Sequence, residues 1–222
     1  MKKFSFAQPL TPDMCGKQPK MQPPAAFMLF QNAASLHAEA IGNGTAALAE
    51  RDCYWVATHS KIDFYSDANL MDMLTVSTWV NPAKPNAVRG YRGYDIFVGD
   101  KQIAEGLTEW VVLNRETGFV RFSEFGFPDD FEFQDYQACG GKLCRFRDEF
   151  TDDDEVYTFT VRTSSIDIGR HIPLCALWLE VHGVSCKPRE RGSEFPLRRG
   201  RPLLRKRRYH PAERAAARAE AR

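Results

Sequence analysis

Apolar residues crowd one stretch of this chain more densely than any other, residues 23–42, PPAAFMLFQNAASLHAEAIG. Phe27, Phe30, Ala34, His37 and Ile41 recur at helical spacing, and Met28, Leu29, Ala33 and Leu36 make much of the remaining circumference apolar or small. This pattern predicts one long helix buried on more than one side. Two prolines suit its first turn, where a missing N–H costs nothing, and Gly42 suits the left-handed residue that ends it.

The period then changes. TAALAERD after Gly42 predicts one or two further helical turns, and beyond it the chain alternates. Residues 54–65, 73–80, 88–98, 102–113 and 119–122 are rich in aromatic and β-branched side chains with turn residues between them, notably Gly99-Asp100 and 114–118. A short first strand is expected at 4–10. One long helix followed by a meander predicts an α+β fold, a curved antiparallel sheet wrapped around the helix, because that helix alone is available to cover the sheet's apolar face. Gly90 and Gly93 stand where a long strand would bend. Trp79 and Trp110 are expected in the core or in a pocket wall.

From 123 to 155 the chain turns acidic and aromatic and reads as a solvated connector. A second unit opens with the alternating strand 156–162, followed by a polar loop with Asp167 and a helix begun at Pro173, with Leu174, Leu177, Trp178 and Val181 on one face and Gly183 as its stop. The first unit used Asp13, Pro24 and Gly42 in the same order. The expected organisation is therefore an N-terminal domain at 1–134, an acidic linker at 135–155, the start of a second unit at 156–186 and a basic tail at 187–222.

Charge is uneven although the net charge is only +1, for the tail holds 13 basic and 4 acidic residues. It is rich in Arg, Pro and Ala without alternation, a composition that accumulates when GC-rich codons are read out of frame. Translation of the other two frames of the encoding DNA checks this. No recognised nucleic-acid-binding fold accompanies the tail, so no nucleic acid is expected as partner. Six scattered cysteines, no apolar run of membrane-spanning length and no signal-peptide pattern point to a reducing cytoplasm. Cys139 and Cys144, in CGGKLC, lack the second pair a zinc site needs.

The segments QNAASLHAEAIGNG, LTVSTWV with the long Arg-bearing strand after it, and IAEGLTEWVVLNRETG resemble the acyl-ACP thioesterases, whose chains carry two hotdog domains in tandem. The similarity runs over about 4–135 and resumes at 157–171. It implies a hotdog fold with a second, incomplete hotdog unit, and a hydrolase that frees fatty acid from an acyl carrier protein in fatty acid biosynthesis. No cofactor or metal is implied. The family signature Asp-x-Asn-x-His-x-Asn-Asn is met by Asp167 and His171, whereas Gly169, Pro173 and Leu174 replace the three asparagines. The resemblance thus implies Asp167 and His171 as catalytic residues, with activity below the family norm. The first hotdog would bind the acyl chain, with Phe27, Phe30, Asn32, His37 and Trp79 as substrate-binding candidates. The rival reading is a non-catalytic hotdog that binds acyl thioesters or supports assembly. Beyond Gly183 no second meander follows, so either the second domain is truncated or a second chain completes it as a homodimer.

Overall fold

The computed structural model describes residues 3–84, 86–121, 124, 126–144, 161, 163 and 166. All of them belong to the first of two units into which the chain divides, Met1–Glu180 and Val181–Arg222. The strand at 156–162, the helix begun at Pro173 and the basic tail lie almost wholly outside the described residues.

Helix α1 spans Pro23–Ala40 and ends where Gly42 takes a φ of +75°. Gly42 N–H donates to Glu39 O and Asn43 N–H to Ala38 O, a Schellman closure that satisfies two carbonyls left over by the helix. A five-residue helix α2, Thr45–Ala49, follows at once. Its first N–H, on Thr45, donates to the Glu39 carboxylate at 2.9 Å.

Six strands form one antiparallel sheet: β1 Phe4–Pro9, β2 Cys53–Phe64, β3 Met73–Val80, β4 Arg89–Val98, β5 Lys101–Asn114 and β6 Gly118–Val120. The order is β1-β3-β4-β5-β2, and β6 takes up β5 at Val112, beyond the point where β4 stops pairing with it at Val111. The β4–β5 hairpin turns on Gly99 at a φ of +55°, as a two-residue hairpin turn demands. A register shift between Ala57 and His59 marks a bulge in β2.

The sheet wraps α1 as the meander pattern requires. Leu10, Ala26, Leu29, Phe30, Ala33, Leu74, Val76, Tyr94, Ile96 and Ala104 form the core between them. Alternation sends Arg92, Tyr94 and Ile96 of β4 to this inner face and Gly93 and Asp95 to the outer one. The helix is buried on one side rather than all round: Asn32, Ser35, Leu36 and Glu39 are exposed, Leu36 by 48%. The small alanines that made its circumference look uniformly apolar are what allow the strands to approach closely on the buried side.

The acidic connector also differs from expectation in its first part. Residues 126–144 form a strap whose first part lies on the α1 side, Gly126 O accepting from Asn43 and Phe131 beside His37, and whose later part packs on the outer face of the sheet. Trp79, Leu107, Ala138 and Cys139 form a second small apolar cluster there, with Trp79 Nε1 donating to Tyr136 O at 2.9 Å. Glu105 accepts from Cys139 N at 2.7 Å, from Tyr65 OH at 3.2 Å and from Tyr136 OH. Composition could not reveal this, because the residues that hold the strap lie 30–80 positions away in the sequence.

Asn81 ties the strap down most directly, its Nδ2 donating to Gln134 O at 2.7 Å and Tyr136 O at 2.8 Å while Gln134 N donates to Val80 O. Asn81→Ala leaves the Gln134 carbonyl without the Asn81 donor while Tyr136 O keeps Trp79 Nε1, and the expected cost is about 1–3 kcal/mol. Hydrogen exchange at the Gln134 amide should quicken while the β3–β4 amides keep their rates. A uniform quickening would show that the strap and sheet open as one unit.

Candidate functional site

The inner face of the sheet is longer than the core that fills it. Past Phe30 and Tyr94, between the sheet and the second half of α1, lies a cavity of about 230 Å³. Ala34, Ala38 and Ile41 of α1, Leu48 of α2, Trp55 of β2, Val80 of β3, Arg92 of β4, Trp110 of β5 and Phe127 of the strap line it. The two tryptophans meet edge to face at 6.3 Å, and Trp110 Nε1 donates to Tyr94 OH at 3.1 Å. Trp55 Nε1 donates to Asn43 O just past the Schellman closure, so the end of α1 fixes part of the wall.

Arg92 is the charged residue in this lining. It is 8% exposed, and its Nη1 lies 2.9 Å from His37 Nδ1 and 3.4 Å from Thr78 Oγ1. Among the described residues no carboxylate forms an ion pair with it. A guanidinium has only donors, so His37 Nδ1 must accept and the imidazole carries its proton on Nε2, a buried nitrogen with no hydrogen-bond partner among the described residues. Burial, and next the Arg92 charge, lower the His37 pKa to about 4. Phe4 stacks on the ring at 5.7 Å and Phe131 lies at 5.9 Å. His37 is thus a neutral acceptor that orients Arg92.

That depressed pKa has a measurable consequence. Between pH 6.5 and about 4 the unfolded chain binds a proton at His37 that the folded chain refuses. This residue's contribution therefore makes stability fall as pH drops through that window, and it is flat above it. Urea midpoints of the parent chain and of His37→Gln, compared at pH 7.5 and 5, are expected to converge at the lower pH. A constant gap would remove His37 from the acid response.

The five substrate-binding candidates sit elsewhere. Phe30, 3% exposed, stacks on Tyr94 at 4.7 Å and lies over Gly106 in the filled core. Phe27 is half-buried and Asn32 is on the exposed side of α1. Trp79 alternates out of register with Val76, Thr78 and Val80 and so packs under the strap on the outer face. His37 touches the cavity only through Arg92. Asp167 and His171 lie outside the described residues. Arg92 had a legible sign: it shares parity with Tyr94 and Ile96, so an inward-facing cation follows once that register is known.

Cysteine chemistry is disfavoured at the strap. Burial, with Asp63 and Glu105 nearby, pushes the Cys139 thiol up to about 12, so no nucleophilic thiolate forms there at neutral pH. Among the described residues no group of His, Cys, Asp and Glu is placed to hold a metal ion, and no helix is long and apolar enough to cross a membrane.

A family profile described as the acyl-ACP thioesterase N-terminal domain matches residues 2–121, more than half of the chain and the whole helix-and-sheet unit. The chain belongs to the acyl-ACP thioesterase family. The same fold occurs in an acyl-ACP thioesterase from Bacteroides thetaiotaomicron, at 20% identity and a TM-score of 0.64 over 84% of this chain and 74% of that one. The 12:0-ACP thioesterase of Umbellularia californica is similar at 17% identity and a TM-score of 0.58, covering 81% and 73%. A DHNA-CoA thioesterase from Staphylococcus aureus shares it at 16% identity and a TM-score of 0.51, over 56% of this chain and 84% of that one. No match is found among curated proteins. The hotdog architecture and a thioester hydrolase thus follow from family membership, and the cavity lies in the domain that the family profile describes.

Proposed function

We propose that this thioesterase hydrolyses fatty acyl-ACP in fatty acid biosynthesis, in the cytoplasm, with the acyl chain held in the cavity beside α1 and the chemistry carried by Asp167 and His171. The observation that supports this reading is the cavity itself, apolar along Ala34, Ala38, Ile41, Leu48, Trp55 and Trp110 and set in a domain of this family. Those side chains favour an alkyl chain through the area removed from water, and Gln31, Ser35, Asn43 and Thr45 also stand in the lining.

At the site around Asp167, a carboxylate next to a helix N-terminus would act as base for water or as nucleophile while backbone N–H groups hold the oxyanion. His171 would orient water or exchange a proton. Hydrolysis needs no cofactor in this scheme, since water and a carboxylate suffice.

The test is steady-state hydrolysis of acyl-ACP and acyl-CoA of matched chain length. A higher kcat/KM for acyl-ACP is the expected result, and an equal or higher value for acyl-CoA would assign the chain to CoA esters. Absence of turnover with saturable binding of both would favour the non-catalytic acyl binder.

A further inference from the structure

We propose that residues 126–133 are a hinged flap that closes one side of the α1 cavity and opens while the rest of the strap stays latched to the sheet. What passes beneath the flap rests on the acyl-chain reading of the cavity, but the flap itself does not.

The strap changes character at Gln134. Before it the chain reads GFPDDFEF, with phenylalanines at 127, 131 and 133 and carboxylates at 129, 130 and 132. The structure sorts the two sets onto opposite sides: Pro128, Asp129, Asp130 and Glu132 are exposed, whereas the three phenylalanines are half-buried. Their rings pack on one another, Phe127 and Phe131 at 4.7 Å and Phe133 at 5.0 Å from each of them. Phe131 N–H closes a local turn on Pro128 O at 2.8 Å. The segment carries its own aromatic cluster and its own turn, so it can move as a body without unravelling.

That body faces the cavity. Phe127 is part of the lining, and Phe131 lies 5.9 Å from the His37 ring. Every residue of 126–133 is exposed or half-buried, so lifting the segment takes no side chain out of a sealed core.

Both ends are tied. Asn43 Nδ2 donates to Gly126 O at 2.9 Å, and at the other end Gln134 N–H donates to Val80 O at 3.0 Å while Gln134 O accepts from Asn81 Nδ2 at 2.7 Å. Beyond Gln134 the strap is held differently. Ala138 and Cys139 are buried, Trp79 Nε1 and Asn81 Nδ2 both donate to Tyr136 O, and the buried Glu105 carboxylate accepts from Cys139 N–H. The cost of a local opening follows what it exposes and which hydrogen bonds it breaks, so the flap opens more often than the latch. The side-chain tie at Gly126 is the one that breaks, and Gln134 is the pivot. A flap of this kind sets how fast a ligand enters and leaves more than how tightly it is held.

Hydrogen exchange of the full chain tests the flap without a ligand. The Phe131 amide should exchange at least about tenfold faster than the Gln134 and Cys139 amides. In Phe131→Ala the indole N–H of Trp55, bonded to Asn43 O beside the Gly126 tie, should quicken, while that of Trp79 under the latch keeps its rate. Equal protection of the three amides, or quickening of both indoles, would overturn the proposal by showing one cooperative strap. Stopped-flow binding of 1-dodecanol below its aggregation threshold, followed by tryptophan fluorescence, tests passage. Phe131→Ala should raise the association and dissociation rates by one common factor of about three or more and leave Kd within about twofold. Unchanged rates, or a changed Kd at an unchanged association rate, would also overturn the gate, the latter by making Phe131 part of the wall. Should 1-dodecanol fail to bind the parent chain, the acyl-chain reading falls and the exchange measurements decide the flap alone.

Discussion

Gly106→Val should cost the domain about 3 kcal/mol or more of folding stability, at the upper end of what overpacking a core does. Gly106 faces α1 from the middle of β5, and a Cβ built there would stand 2.3 Å from Phe30 Cε2 and 2.8 Å from Cδ2. The ring cannot step aside, because it is 3% exposed and stacked at 4.7 Å on Tyr94, itself 1% exposed. Two effects oppose the clash, since leaving glycine lowers the entropy of the unfolded chain and valine suits a strand. Each is worth about 1 kcal/mol or less, so the steric term wins.

The urea midpoint should fall with an unchanged slope. Phe30→Ala alone is expected to cost about 3–5 kcal/mol through the cavity it leaves. Combined with Gly106→Val it should cost clearly less than the two added, because the valine then fills part of that space. Strict additivity would show that ring and glycine do not share one packing site.

The largest effect on activity is expected from Asp167→Asn. If Asp167 is the base or nucleophile, its amide analogue can neither accept the proton nor attack, and turnover should drop by about 10²–10⁴-fold with stability unchanged. His171→Ala should lower turnover less if it orients water. The parent activity itself is expected to be low, since the signature asparagine replaced by Gly169 would have aimed an amide at the carbonyl or water. One such donor is worth about 10²–10³-fold where it has been removed elsewhere, so Gly169→Asn should raise turnover. Unchanged rates in both Asp167→Asn and His171→Ala would take the two residues out of the mechanism.

Local chemistry along the chain was enough to place every long element of the described domain. The prolines before Phe27 and Gly42 after Ile41 bound α1, and each strand of the meander falls within about one or two residues of where its alternation placed it. These are short-range properties, written in dihedral preference and in the period of the apolar side chains. Family membership was legible for the same reason, through segments on α1, β3 and β5 that remain contiguous in sequence.

Only the tertiary structure decided what each buried face meets. Periodicity marked Phe30 as inward, but the register that sets Gly106 beneath it makes the ring a core plug rather than a cavity wall. One step of alternation sends Trp79 under a strap whose composition had looked like open linker, and the same alternation on β4 carries Arg92 inward to His37, 55 positions away in sequence. The meander strands were visible one by one, but their spatial order was not: β1 closes the sheet beside β3, and β2 stands at the other edge beside β5. Pairing, register and the burial of Arg92 depend on residues far apart in the chain, and no window of sequence contains both partners.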